Sequence, residues 1–284
     1  MSGFAARRGS TGVRPLQIAG LLSLLILWEL IAHLLQAVTP HADSILPSVE
    51  SVFLTSLPAF ATFEGFRIGQ FGGTYSYQSA ISLLAWESVA TIFRVIVGTL
   101  AGAFIGITVG FLLCWSKRVM TLATPPVQVL RLIPLLALIP LFQLWFGAAE
   151  TGAYIYISFA VFTGLVINTV GAVRNLPPVY AQFATTLGAS RAQVFRTVII
   201  PGAFPGLVGA IRVTLGIAWA IGMASEFLAV RSGLGRLLIL SADFFFTGRV
   251  IVILLLFMVY SVVLNWLFLW FARRVTRWMP GQIG

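Results

Sequence analysis

The chain alternates long apolar runs with short polar breaks. A bilayer core of roughly 30 Å needs about 20 consecutive apolar helical residues. Six runs meet that length, at about 16–38, 88–115, 121–146, 153–173, 203–228 and 250–272. The pattern predicts an all-α membrane protein with six transmembrane helices. The third run is interrupted by Pro125, Pro126, Pro134 and Pro140. It is expected to be kinked and packed inside the bundle, where neighbours satisfy the freed carbonyls. Residues 39–86 are not a plain loop. They hold Leu46-Pro47-Ser48, an apolar stretch, then Gly65, Gly69, Gly72 and Gly73. This reads as an extracytoplasmic amphipathic elbow followed by a glycine-rich turn region.

Composition supports the membrane reading. Apolar residues make up 59% of the chain and charged residues 9%, against roughly 45–50% and about 25% in soluble domains. So few charges cannot cover a soluble surface of this size. The net charge is +10, but the basic residues are scattered in ones and twos, as at Arg7–Arg8, Lys117–Arg118 and Arg273–Arg274. That is not the basic face of a nucleic-acid binder. It is a topology signal. Most Arg and Lys fall on the side of the N-terminus, while Asp43, Glu50, Glu64, Glu150 and Asp243 fall on the other. Both termini are therefore expected in the cytoplasm. Arg7–Arg8 superficially resembles a twin-arginine signal, but Leu16–Leu35 is long for an h-region and no clear cleavage site follows. A retained first helix is expected.

One cysteine, Cys114, and two histidines, His33 and His41, give no disulfide framework and no familiar metal set. No metal or cofactor is expected. The histidines have no evident partner set for catalysis, so no catalytic residue is assigned.

The second run carries Gly98, Gly102, Gly106 and Gly110 along one stripe, which lets another helix approach closely. The stripe is either static packing or a surface that slides during gating. Glu29 and His33 lie one turn apart in the first run and can pair. Arg212, Trp219 and Glu226 recur at intervals of seven in the fifth run, close to one face. Arg212 would attract an anionic substrate or neutralise a helix C-terminus. With Gln143, Thr163 and Asn168, these three are candidates to line a translocation path.

The loop between the fourth and fifth runs is the most specific feature. Pro178 to Gly188 reads as a helix with Gly188 as its stop. Ser190 is placed to cap a second short helix through Val198, before Pro201 turns the chain back into the membrane. Two short helices at an angle would form a rigid protrusion suited to a soluble partner. The loop resembles the signature of binding-protein-dependent ABC importer permeases: Glu-Ala-Ala, three residues, Gly, nine residues, Ile-x-Leu-Pro. Here it reads Gln182-Phe183-Ala184, then Gly188, then Val198-x-Ile200-Pro201. Gln182 stands where the family has Glu, and Phe183 where it has the first Ala. Leu46-Pro47-Ser48, Glu87-Ser88 to Arg94, Arg131-x-Ile133-Pro134, Trp145-Phe146-Gly147, Gly209-x-x-Arg212 and Gly233-Leu234-Gly235 are similar to elements of the nitrate, sulfonate, taurine and bicarbonate importers. The stretch 59–79 is longer than in that subfamily.

The resemblance implies the type I ABC importer permease fold. It divides the chain into a cytoplasmic tail (1–15), a first helix (16–38), the elbow (39–86) and a permease core (87–280) with a coupling loop at 174–204. It also implies a location in the bacterial inner membrane. The expected partners are a second permease copy, two ATPase subunits and an extracytoplasmic binding protein. The ATPase would dock on Gln182, Ala184, Gly188, Ala189, Arg191 and Pro201. The chain has no Walker-type phosphate loop of its own. The implied cargo is a small anion. The rival readings are a secondary transporter coupled through Glu29, Glu226 or Asp243, and a membrane-embedded enzyme.

Overall fold

The computed structural model describes residues 13–63, 76–147, 149–228 and 230–275. Arg7, Arg8, Glu64, Arg67, Arg277, the four elbow glycines and most of the 59–79 stretch lie outside these. The described residues are helical throughout, with short turns between helices. Among the described residues, four helices are long and apolar enough to cross a bilayer: Tyr77–Cys114, Glu150–Arg174, Arg191–Ser225 and Thr247–Arg274. A fifth candidate is the bent pair Lys117–Leu132 and Leu135–Phe146. The first helix spans Val13–Val38. The chain divides into two compact units, one formed by its first 83 residues with Leu240–Val252 and the other by the remainder.

In the first unit, the first helix fastens the elbow. Trp28 Nε1 donates to the carbonyl of Pro47 at 3.0 Å. The carboxylate of Glu29 accepts from the backbone N–H of Val49 at 2.9 Å, and its other oxygen lies 3.2 Å from His33. Ser48 caps the short helix Val49–Ser51 with its hydroxyl. Glu29 thus serves a helix N-terminus, whose unpaired N–H groups favour a carboxylate. Arg249 lies over the rings of Phe246 and Phe63, at 4.4 and 4.6 Å.

In the second unit, Glu150–Arg174 runs through the core. Tyr156, Ile157, Val161 and Leu165 pack with Ala218, Ile221 and Leu228. The glycine stripe of Tyr77–Cys114 packs directly against it. A Cβ added at Gly98, Gly102 or Gly110 would sit 2.7 Å or less from Ile157, the Ser158 carbonyl or Thr169, respectively, and one at Gly106 would meet the Phe162 carbonyl at 2.9 Å. Contact partners advance in the same order on both helices, so the two run parallel. Ser158 Oγ also donates to the Gly98 carbonyl at 3.0 Å.

Three expectations change. The second span begins at Tyr77, inside the segment assigned to the elbow. Its first turns are polar enough to fall below an apolarity threshold, yet contain nothing that stops a helix. The third span is broken as expected, with an 83° bend, but at Ile133–Pro134 and not at Pro125–Pro126. Ile133 and Pro134 are both extended, because proline disfavours helical backbone in the residue before it. Nor is the stretch Lys117–Leu132 enclosed: none of its residues is buried within the chain.

Pro201 is the third. It lies in the first turn of Ile200–Ser225 and does not redirect the chain. The helix from Arg191 continues through a π-turn at Phe195–Ile199, in which Ile200 N–H bonds to the Phe195 carbonyl. Proline has no N–H to offer the preceding turn. The wider i→i+5 register next to it lets the helix pass this position unbroken.

Candidate coupling loop and translocation path

The loop consists of the helix Pro178–Thr186 and the start of the helix Arg191–Ser225. Gly188 makes the turn between them. Its φ is +85°, a conformation that only glycine adopts without strain. The N–H of Ala189 bonds back to the Ala184 carbonyl at 3.1 Å and that of Gly188 to Thr185 at 3.0 Å. This pairing closes the helix C-terminus as in a Schellman motif. Ser190 and Gln193 then form a reciprocal capping box, which satisfies two N–H groups of the next helix at once. Gly188 and Ser190 do what their residue types suggested.

The outer face of the loop is apolar and open. Val179, Tyr180, Phe183 and Leu187 are all more than half exposed. They line a groove with Ala184 and Pro201. Gln182 and Ala189 lie on the same loop. Arg191 points elsewhere. Its Nη2 donates to the carbonyl of Trp115, and the guanidinium stacks over the Trp115 ring at 5.2 Å. Trp115 also packs edge-on to Phe195 at 5.1 Å. Arg191 therefore ties the loop to the end of the glycine-stripe helix, and its contact lies inside the chain.

The candidate path residues separate into four places. Thr163 and Asn168 line one cavity of about 400 Å³, together with Arg131, Thr214 and two glycines. Arg212 and Trp219 line a smaller one beside Ser261 and Asn265. Trp219 is buried there, edge-on to Phe257 and stacked on Tyr260, at 5.8 and 6.3 Å. Gln143 is used internally, donating to the Phe227 carbonyl at 3.0 Å.

Glu226 does not continue the stripe of Arg212 and Trp219. It sits just past the helix end as its C-cap residue, buried in a clasp that sequence reasoning missed. Arg94 donates to Glu226 at 2.5 Å and to both oxygens of Glu150 at 2.7–2.9 Å. The backbone N–H of Gly235 donates to Glu226, and that of Gly233 to the buried Glu87. Leu234 N–H reaches Thr91 at 2.9 Å. The clasp joins segments up to 146 residues apart, so no local spacing announces it. In the sequence it shows only through Arg94 and Gly233-Leu234-Gly235, which belong to the family pattern.

A profile of the binding-protein-dependent transport system inner membrane component matches residues 98–277. The chain belongs to that family. It is the membrane-embedded permease component of an ABC importer, a multi-pass inner membrane protein, and ATP hydrolysis belongs to a separate subunit. The taurine transport system permease protein TauC of Escherichia coli (strain K12) is 30% identical to this permease over 71% of its length and 74% of TauC. The nitrate import permease protein NrtB of Leptolyngbya laminosa is 32% identical over 54% of each chain. A chain of the MetNI methionine ABC transporter, solved in inward-facing conformations, superposes with a TM-score of 0.56. It is 22% identical and covered over 96% of its length, with 69% of this permease. The importer fold implied by the loop is thereby established. The gradient-driven and enzymatic readings have no support from these relatives, and Glu29 and Glu226 are both held in structural hydrogen bonds.

Proposed function

We propose that this permease moves a small solute carrying an oxyanion group, of the sulfonate, taurine or nitrate kind, across the inner membrane. In this reading it spans the bilayer six times with both termini inside. It pairs with a second permease copy and receives cargo from an extracytoplasmic binding protein. Two ATPase subunits dock on residues 174–204, and their closure moves the loops of the paired permeases as rigid levers.

The observation that carries the reading is the loop itself. Gly188 and the Ser190 capping box fix two helices, and the groove beside them exposes Val179, Tyr180, Phe183 and Leu187. Exposed apolar surface rimmed by polar residues marks a protein partner. The taurine and nitrate relatives support the anionic cargo.

The test is Gly188→Arg. Beyond its own chain neighbours nothing lies within 4 Å of a Cβ at this position, so the added bulk projects from the loop. Loss of ATPase co-purification and of ATP-dependent uptake, with the permease still in the membrane, is expected. Docking and uptake at the unsubstituted level would refute the docking assignment.

A further inference from the structure

The helix Lys117–Leu132 is unlike the other spans. Lys117, Thr121, Thr124, Gln128 and Arg131 recur at intervals of four and three, which places them within an arc of roughly 80° at 100° per residue. Arg131 lies about 21 Å along the helix from Lys117, a large part of a hydrocarbon core of roughly 30 Å. An arginine at such depth is tolerated where it faces a protein interior or water.

Two cavities lie between this stripe and the helix Glu150–Arg174. Thr124 and Gln128 line the first, of about 110 Å³, with Arg174. Arg131 lines the second, of about 400 Å³, with Thr163, Asn168 and Thr214. They follow one another along the same helix, the first lined by Ile167 and the second by Asn168. No acidic side chain is among the described residues lining either. Thr163 and Thr214 spend their hydroxyl protons on backbone carbonyls. In the larger cavity the donors left to a solute are the guanidinium of Arg131 and the amide of Asn168, while the smaller one offers Gln128 and Arg174. The glycines 164 and 209 widen the larger cavity, and a Cβ added at either would meet no atom within 4 Å.

We propose that these cavities form one wall of the path, and that Arg131 is the residue that selects the oxyanion group of a small solute there. Arg212, the arginine that sequence spacing favoured, lines a different cavity. The assignment rests on the reading of this chain as an anion permease.

The test replaces Gly164 by cysteine in a Cys114→Ala background, in the whole transporter in membrane vesicles. Thiol modification is followed with two methanethiosulfonates, one carrying an ethylsulfonate and the other an ethyltrimethylammonium group. Rates are normalised to a free thiol. The sulfonate reagent is expected to react at least about 10-fold faster. Arg131→Gln should abolish that preference and Arg131→Lys retain most of it. Equal rates with Arg131 present, a preference that survives Arg131→Gln, or no reaction by either reagent would each overturn the proposal, and Gly209→Cys repeats the measurement from the facing helix. Uptake of radiolabelled taurine and of nitrate is measured alongside. Unsubstituted transporter that takes up neither counts against the anionic cargo itself, and so against the assignment that rests on it. Uptake unchanged in Arg131→Gln counts against Arg131 alone.

Discussion

Arg94 and Glu226 meet at 2.5 Å, with 2% and 0% of their side chains exposed. Each would be costly to bury without the other. Removing one partner of a buried pair typically costs about 3–5 kcal/mol, because the survivor is left uncompensated. The two halves are unequal. Arg94 keeps Glu150 if Glu226 is neutralised, whereas Glu226 keeps only hydrogen bonds if Arg94 is lost.

Arg94→Ala should therefore lower the melting temperature of the detergent-solubilised permease more than Glu226→Gln does. The double variant Arg94→Met/Glu226→Gln should recover part of the loss. Glu150 is 44% exposed and can be hydrated once Arg94 is gone. Thermal unfolding of the three variants orders them, and equal losses for both single variants would count against the asymmetry.

Gly233 and Gly188 both have positive φ, +120° and +85°, but differ in surroundings. A Cβ at Gly233 would overlap the carboxylate of Glu226, while one at Gly188 meets nothing. Gly188→Ala should cost about 1 kcal/mol, the strain of the left-handed backbone alone. Gly233→Ala should cost clearly more. Comparing their thermal unfolding checks the difference.

The glycine stripe makes a similar contrast. Gly102→Ala drives a methyl group to 2.5 Å from a backbone oxygen, and a backbone cannot turn aside as a side chain can. Gly164→Ala has open space. The first should reduce the monodisperse fraction in fluorescence-detected size exclusion, and the second should leave it unchanged.

Arg191 ties the loop to Trp115. Arg191→Ala and Trp115→Ala should give the same phenotype: a folded permease whose associated ATPase no longer responds to loaded binding protein. Arg191→Lys should not rescue it, because the ammonium group lacks the planar face that stacks on the indole. ATPase assays on the purified complex distinguish these outcomes.

The features legible in the sequence are those set within a few residues. Gly188 ends a helix, Ser190 caps one, and four glycines at one spacing mark a close helix contact. Each depends on backbone geometry that neighbours determine. Pro201 shows the limit of such reading. Proline usually ends a helix, but a π-turn upstream absorbs its missing N–H, and nothing in the residue types of Phe195–Ile199 signals this. Pro125 and Pro126 stay within a helix, while Pro134 breaks one. Glu226 shows a second limit. Its spacing from Trp219 suggested a shared face, yet the helix ends one residue earlier and its partner Arg94 is 132 residues away. Long-range ion pairing leaves no local trace. The polar stripe from Lys117 to Arg131 is fully present in the sequence, but the apolar residues and prolines of the same segment mask it.

The proposed function is import of a solute carrying an oxyanion group, with energy borrowed from a docked ATPase. Uptake of radiolabelled taurine and nitrate into proteoliposomes holding the permease, its ATPase and its binding protein tests it most directly, with ion gradients collapsed by ionophores. Uptake of at least one that requires internal ATP, and that Gly188→Arg abolishes, is the predicted result. Uptake that persists without ATP or ATPase, and that disappears with the gradient, would instead mark a gradient-driven carrier.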